Sequence, residues 1–123
     1  LEHALQDVVQ QQKIEIVCLA GFMQILPDDL VEKWRGRMLN IHPALLPAFK
    51  GLDTHKRALD AKATQHGATV HFVVPEMDSG PIVLQGVVKV RPNDTEAELA
   101  ARVLAVEHRI YPEALKMLAE GRL

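Results

Sequence analysis

The chain is 123 residues long, with 48% apolar residues, 24% charged residues and a formal net charge of −2. This composition is typical of a single globular domain and excludes a disordered, collagen-like or low-complexity chain. The charge gives no basic excess for a nucleic-acid partner, and no apolar run is long enough for a membrane partner. Because its single Cys18 cannot form an internal disulfide, the sequence favours a reducing, cytoplasmic setting.

The first apolar residues, over 1–9, recur at helical spacing without an N-cap before them, which predicts a chain that lacks a preceding segment. Asn93 or Asp94 is predicted to cap the last helix, and Pro112 to kink or divide it. The elements predicted after the opening helix are a buried strand over 14–20, a helix from Pro27 to Gly36, a strand over Met38–His42, a loop over 43–51, a helix over 54–63, strands over 69–74 and 82–90, and a helix from Thr95 to Leu118.

Strands and helices alternate in the first half of the chain, and two strands follow one another in the second half. This order predicts one α/β domain over residues 1–123, with parallel strands first and an antiparallel hairpin at one edge. No His or Cys residues have the spacing of metal ligands beside a carboxylate, so we predict no metal.

Two polar residues stand at the end of a predicted strand, where ligands of open α/β sheets bind. Alternation along the strand puts Asn40 and His42 on the same side. An amide and an imidazolium side by side can stabilise an oxyanion, and the imidazolium also carries a transferable proton. Asp78, in the turn over 76–81, is predicted to approach His42, favour its charged form and position a water for proton relay.

Each of these features also has an ordinary structural explanation. An isolated Asn-x-His pattern is weak, and residues 78–81 have the composition of a common turn. His71 lies in a strand pattern and is predicted to pack against a sheet face. His55 and His66 flank a helix and are predicted to be exposed to solvent.

Four motifs taken in order are more specific than any one of them: AGFMQIL at 20–26, LNIHPALLP at 39–47, HGATVHFV at 66–73 and MDSGP at 77–81. This arrangement closely resembles the phosphoribosylglycinamide formyltransferase family of folate-dependent enzymes in purine synthesis. The likeness extends from Ile16 to the C-terminal Gly121-Arg122-Leu123. It implies a formyltransferase-type Rossmann-like mixed sheet that lacks the family's N-terminal βα units.

The resemblance implies formyl transfer from 10-formyltetrahydrofolate to the amine of glycinamide ribonucleotide. Asn40 and His42 would stabilise the tetrahedral intermediate, and Asp78 would keep His42 charged. The implied folate-pocket residues are Met23, Gln24, Ile25, Leu26, Asn40, Val74, Pro75, Glu76, Met77 and Asp78. The residues implied to face glycinamide ribonucleotide are Leu104, Ala105, Val106 and Glu107, with Glu107 on the ribose hydroxyls.

The sequence departs from the family at two places. Gln24 stands where relatives often carry Arg, and the Gly-rich phosphate-binding loop that opens the family's first helix is not found. Three alternatives remain. Formyltetrahydrofolate deformylase uses water as acceptor and tends to carry a second His where this chain has Pro43. Methionyl-tRNA formyltransferase matches only in part, and the chain could also be a catalytically inactive folate-binding half domain.

A parallel sheet without its first strands exposes an edge and the apolar faces of the helices that pack on it. We therefore predict that the chain is marginally stable alone and gains stability from a covering partner, either a complementing N-terminal fragment or a second copy. Gel filtration of a dilute sample, combined with thermal unfolding, tests this prediction. A dilute monomer that unfolds cooperatively at an ordinary temperature would contradict it.

Overall fold

The computed structural model describes residues 17–20, 28–34, 36–76 and 78–121. The predictions for 1–16 and 21–27, including the opening helix, lie outside the described residues. The elements within these ranges are the strands β1 (Val17–Ala20), β2 (Met38–His42), β3 (Gln65–Phe72) and β4 (Ile82–Lys89) and the helices α1 (Asp28–Lys33), α2 (Thr54–Asp60) and α3 (Glu96–Ala119). None of the helices in these ranges is long and apolar enough to cross a membrane.

The strands form a sheet in the order β1-β2-β3-β4. β1 runs parallel to β2, with Val17 opposite Met38, whereas the β2–β3 and β3–β4 pairs are antiparallel. The antiparallel part of the sheet therefore begins at β2 and is larger than the predicted edge hairpin.

Helix α3 packs across one face of this sheet and forms the core with it. The buried residues at this contact are Leu39, Ile41, Ala68 and Val70 of the sheet and Leu99, Val103, Val106, Ile110 and Ala114 of the helix. The Tyr111 hydroxyl also donates a hydrogen bond to the Leu39 carbonyl at 3.0 Å. Because neighbouring strand residues point to opposite faces, Asn40 and His42 lie on the face away from α3.

The prediction for Met38–His42 is confirmed as β2, but β3 begins at Gln65 rather than at residue 69. The dipeptide His-Gly at the start of this segment is typical of a turn, which is why the sequence pattern misses the first residues of the strand. Gly67 is extended here because β4 approaches it closely: a Cβ at Gly67 would lie 1.9 Å from the carbonyl oxygen of Gly86. Close strand packing, rather than a turn, requires the glycine.

The N-cap of α3 is Thr95, so the prediction of Asn93 or Asp94 was wrong. The Thr95 hydroxyl accepts a hydrogen bond from the Glu98 backbone N–H at 3.1 Å, as in a capping box. Asp94 instead receives a hydrogen bond from Arg102 Nη1 at 2.8 Å. This hydrogen bond is the main cause that lowers the pKa of Asp94 to about 2.

Two helices end earlier than predicted: α1 ends at Lys33 instead of Gly36, and α2 ends at Asp60 instead of residue 63. α3 continues past Pro112 without being divided. Pro112 is exposed, whereas Ile110 and Ala114 on either side of it are buried against the sheet. Packing of this buried stripe outweighs the single backbone hydrogen bond that the proline cannot make.

His66 is buried, with 1% of its surface exposed, so the prediction of solvent exposure was wrong. Its Nε2 atom lies 3.0 Å from Nδ1 of His55, and the Phe49 ring meets it edge-on with ring centres 6.0 Å apart. Burial is the main cause that lowers the pKa of His66 to about 4, and the charges of His55 and His42 lower it further. Burial also lowers the pKa of His55. Both rings are therefore neutral at pH 7.

This depressed pKa predicts a loss of stability on acidification. Between pH 6.5 and about 4 the unfolded chain binds a proton at His66 that the folded chain does not, so the free energy of unfolding falls as pH falls through this window. His66→Gln cannot be protonated and should flatten the decline. Urea unfolding of the wild type and of His66→Gln at several pH values in this window measures the decline. An equal dependence of the free energy of unfolding on pH in both proteins would contradict the role of His66.

Candidate active site

The register of β2 on β3 gathers polar side chains on the face away from α3. His71 lies directly opposite Asn40, and Thr69 lies opposite His42. Opposed residues of antiparallel strands share a face, so these side chains are neighbours. The β3–β4 pairing shifts register between Val70 and His71. Such irregularities are common next to functional sites, where they redirect a side chain.

The His42 ring is 4% exposed, and each of its nitrogens faces a specific group. Nε2 lies 2.8 Å from the carbonyl oxygen of Phe49. Because a carbonyl can only accept a hydrogen bond, Nε2 carries a proton. Nδ1 faces the Asp78 carboxylate, with 3.6 Å between Nδ1 and Oδ1. The two ring nitrogens therefore face different groups, a backbone carbonyl at Nε2 and a carboxylate at Nδ1.

His71 is a buried neutral ring that orients Asn40. Its Nδ1 donates to the Phe72 carbonyl at 2.9 Å. Burial is the main cause that lowers the pKa of His71, although this hydrogen bond and the Asp78 charge oppose it. In the neutral ring Nε2 is then an acceptor, and Asn40 Nδ2 donates to it at 3.4 Å. Asn40 Oδ1 is buried without a hydrogen-bond partner among the described residues.

The Asp78 carboxylate reaches the site from the loop between β3 and β4. Its Oδ2 accepts a hydrogen bond from the Gly51 backbone N–H at 2.9 Å. Its Oδ1 lies 3.6 Å from His42 Nδ1 and 3.9 Å from His71 Nε2. One carboxylate thus faces two imidazoles while a backbone amide fixes its second oxygen. The Asp78 backbone has φ 51°, a conformation that Asp adopts more readily than most residues.

The loop that carries Asp78 is closed tightly at its base. The Phe72 N–H donates to the Pro81 carbonyl at 2.9 Å. Gly80 lies so close to the opposite strand that a Cβ there would be 1.6 Å from the Phe72 carbonyl oxygen. Only glycine fits at this position, so the end of the loop has a fixed location relative to β3.

Thr69 holds the segment that follows His42. The Thr69 hydroxyl is fully buried and donates to the Ala44 carbonyl at 2.7 Å. It accepts hydrogen bonds from the Leu46 N–H and from Gln85 Nε2, both at 3.1 Å. A buried hydroxyl with three partners is fully satisfied, and these bonds tie the chain after β2 to the centre of the sheet.

A pocket of about 290 Å³ lies between β2 and α3, on the other side of Ile41 from the polar cluster; its lining is Ile41, Leu104, Glu107, His108, Tyr111 and Pro112. Burial raises the pKa of Glu107, and the nearby His108 opposes this shift. Leu104 is exposed in the pocket wall, with 50% of its surface accessible. The pocket combines an apolar wall with one carboxylate.

The site residues predicted from the sequence lie in several different parts of the structure. Asn40, His42 and Asp78 lie together, and Leu104 and Glu107 line the pocket, whereas Val106 packs in the core and Ala105 is exposed. Val74 and Pro75 are half-buried and Glu76 is exposed. The predicted residues that lie outside the described part of the chain are Met23, Gln24, Ile25, Leu26 and Met77. Among the described residues, no group of three His, Cys, Asp or Glu could hold a metal ion.

Sequence reasoning missed three contributors to this site: the His71 ring, the Phe49 carbonyl and the Gly51 N–H. His71 does pack in a sheet, as predicted, but its Nε2 contacts Asn40. A histidine between the apolar residues Val70 and Phe72 is the one signal that pointed to it, because buried polar side chains are rare without a partner. The two backbone groups carry no signal in the sequence.

The pattern of the formyl transferase family matches residues 1–115. The chain is 43% identical over 123 residues to the phosphoribosylglycinamide formyltransferase of Haemophilus influenzae, covering 100% of this chain and 58% of that protein. It is 50% identical over 120 residues to the human trifunctional purine biosynthetic protein adenosine-3, covering 98% of this chain and 12% of that protein.

Solved structures resemble the chain equally closely. Glycinamide ribonucleotide transformylase 1 from Symbiobacterium toebii superposes with a TM-score of 0.95 and 47% identity, covering 99% of this chain and 57% of that one. A formyltetrahydrofolate deformylase from Pseudomonas syringae gives a TM-score of 0.93 with 31% identity, covering 98% of this chain and 41% of that one. The chain thus spans little more than half the length of the transformylases it matches, and it belongs to the formyl transferase family.

Proposed function

We propose that this chain carries the formyl-transfer centre of a phosphoribosylglycinamide formyltransferase. The observation that carries the proposal is the 3.6 Å contact between His42 Nδ1 and the Asp78 carboxylate, beside an Asn40 amide oriented by His71. The similarity to the H. influenzae enzyme supports the choice of reaction. We further propose that N-terminal βα units like those of the family continue the parallel part of the sheet beyond β1.

Asn40 is proposed to stabilise the oxyanion that forms when the substrate amine adds to the formyl carbon. One N–H of its amide is occupied by His71 Nε2 at 3.4 Å, which leaves the second N–H to donate to the formyl oxygen. Because His71 holds the amide in one orientation, this donor needs no reorganisation when negative charge develops. A single donor of this kind contributes about 3 kcal/mol to transition-state stabilisation.

His42 is proposed to supply positive charge and a proton through Nδ1. Its Nε2 proton is held by the Phe49 carbonyl, so proton exchange falls to the nitrogen beside Asp78. The separation of 3.6 Å is longer than a direct hydrogen bond, and we expect a water to connect the two groups. Asp78 thereby favours the imidazolium and organises the water that relays the proton.

The two substrates are proposed to meet at the end of β2, where Ile41 of the pocket adjoins His42, so that the amine can reach the formyl carbon. 10-Formyltetrahydrofolate, as co-substrate, supplies the formyl group at an electrophilic carbon. Asn40 Oδ1, which has no hydrogen-bond partner among the described residues, and the half-buried Val74 and Pro75 are proposed to contact its polar heterocycle, with Glu76 at the rim. Glycinamide ribonucleotide is assigned to the pocket, where the Glu107 carboxylate can accept hydrogen bonds from two ribose hydroxyls and Leu104 packs against the sugar.

Formyl transfer and folate binding test the proposal directly. The full chain is assayed alone and after addition of the family's N-terminal phosphate-binding segment, with 10-formyltetrahydrofolate and glycinamide ribonucleotide. We expect folate binding without turnover by the chain alone, and turnover when the segment is added. Turnover by the chain alone contradicts the need for that segment, and a lack of folate binding in both samples contradicts the proposal.

Deformylation is the second candidate, because the P. syringae deformylase has the same fold. The acceptor separates the two reactions: release of formate at the same rate with and without glycinamide ribonucleotide would identify water as the acceptor. Formylated glycinamide ribonucleotide as the product supports the transferase. Pro43, where the deformylases tend to carry a second His, favours the transferase.

Asp78→Asn tests the electrostatic role of the carboxylate in the complemented enzyme. If His42 acts as imidazolium, activity falls as pH rises and the ring loses its proton. Without the negative charge at 3.6 Å the imidazolium is less favoured, so this limb of the pH profile should move to lower pH and kcat should fall at least about tenfold. Asp60→Asn, on an exposed helix end, is the matched control. An unchanged pH profile in Asp78→Asn would remove the carboxylate from this role.

A further inference from the structure

Backbone groups of the segment 49–53, here called the clamp segment, contact both proposed catalytic groups. The Phe49 carbonyl accepts from His42 Nε2 at 2.8 Å, and the Gly51 N–H donates to Asp78 Oδ2 at 2.9 Å. The orientation of the His42 ring towards the carboxylate therefore depends on the conformation of these few residues.

The clamp segment has a left-handed backbone conformation that Phe49 does not favour, although Gly51 and Asp53 tolerate it. Phe49 has φ 52° and Asp53 has φ 55°, with Gly51 at φ 87° between them. The left-handed region is unfavourable for a residue with a Cβ, and most of all for a bulky one such as Phe. The segment consequently needs contacts from outside it to stay in this conformation.

Arg57 of α2 provides these contacts. Its Nη1 donates to the Lys50 carbonyl and to the Leu52 carbonyl, the latter at 3.0 Å. These carbonyls flank Gly51, whose N–H holds Asp78. The guanidinium carbon lies 5.7 Å from the centre of the Phe49 ring, within the range of a cation–π contact. One side chain thus contacts the clamp segment at three residues: Phe49, Lys50 and Leu52.

We propose that Arg57 is a positioning residue for the active site. It touches none of the reacting atoms; it fixes the two carbonyls around Gly51 and thereby sets the backbone groups that orient His42 and Asp78. Its importance for catalysis rests on the proposed function, whereas its effect on the clamp segment does not. A second link, from Lys50 Nζ to Ser79 Oγ at 2.9 Å, joins the segment to the Asp78 loop, so loss of Arg57 loosens the site without abolishing it.

Three variants of the full chain distinguish the contacts that the Arg57 guanidinium makes from the effect of its positive charge. Arg57→Gln removes the guanidinium and keeps good helix propensity, whereas Arg57→Lys keeps the charge but loses the planar group that reaches both carbonyls. Lys56→Gln is the matched control, because Lys56 is exposed on the same helix and its side chain has no hydrogen bond to the clamp segment within the described residues. It removes the same charge from the same surface.

Two measurements need no catalytic activity. In nitrogen-15 spectra of the histidine rings, Arg57→Gln should shift the His42 Nε2 signal as its hydrogen bond to Phe49 weakens, and Lys56→Gln should not. Cleavage by trypsin after Lys50, followed by mass spectrometry, should be about tenfold faster in Arg57→Gln because the clamp segment opens more often. If neither measurement changes in Arg57→Gln, the proposal is wrong, even if the enzyme is active. If these changes occur but the wild type transfers no formyl group, the proposed function fails and the structural role of Arg57 stands.

In the complemented enzyme, Arg57→Gln should lower kcat about tenfold with KM unchanged for both substrates, since misplacement of reacting groups acts on the transition state. Arg57→Lys should recover part of kcat. A rise in KM with kcat unchanged would overturn the positioning role. Lys56→Gln with the same loss as Arg57→Gln would also overturn it, since a general charge effect would then explain both.

Discussion

The antiparallel register of β2 on β3 determines both the core and the candidate active site. It places Leu39 and Ile41 against α3 while Asn40 and His42 face the other way, opposite His71 and Thr69. A slip of one residue would exchange the two faces. Each apolar side chain moved into solvent would cost about 2 kcal/mol. The free energy that holds the core together therefore also holds the polar side chains in place.

Backbone groups orient the polar side chains that this register brings together. His42 is oriented by the Phe49 carbonyl and Asp78 by the Gly51 N–H, so a backbone group holds each of these two side chains directly. Asn40 differs, because a neutral imidazole fixes its amide. Burial keeps the His71 ring neutral, and a protonated His71 could not accept the hydrogen bond from Asn40. The site thus combines one imidazole that can be charged with one that is held neutral, only a strand apart.

Local pattern predicts the elements where packing agrees with it. The apolar run with Pro43 after it defines β2, and the Thr95–Glu98 pair marks the start of α3 even though the cap was placed one or two residues too early. The prediction fails at His66 and Gly67, where a turn-like dipeptide continues as strand because β4 lies against it. Such an approach between distant segments leaves no local signal.

The same distinction between local sequence signals and contacts made by distant segments applies to the candidate site. Asn40, His42 and Asp78 were predicted from motif order and strand alternation, which are visible in the sequence. Their supports were not, since a carbonyl or an N–H belongs to every residue type and only the fold decides which ones reach the site. Arg57 illustrates the limit: an exposed arginine on a short helix gives no indication that it contacts Lys50 and Leu52.

The closed base of the β3–β4 connection determines which of its residues can be substituted without moving β4. Phe72 is bonded to Pro81, and Gly80 leaves no room for a side chain, so the returning strand starts from one point whatever precedes it. Residues from Val73 to Glu76 can then be replaced, or their number changed, without moving β4. A library that varies this stretch and keeps Gly80 would change the surface before Asp78 while β4 stays in place, whereas a side chain at Gly80 would collide with the Phe72 carbonyl and displace the strand.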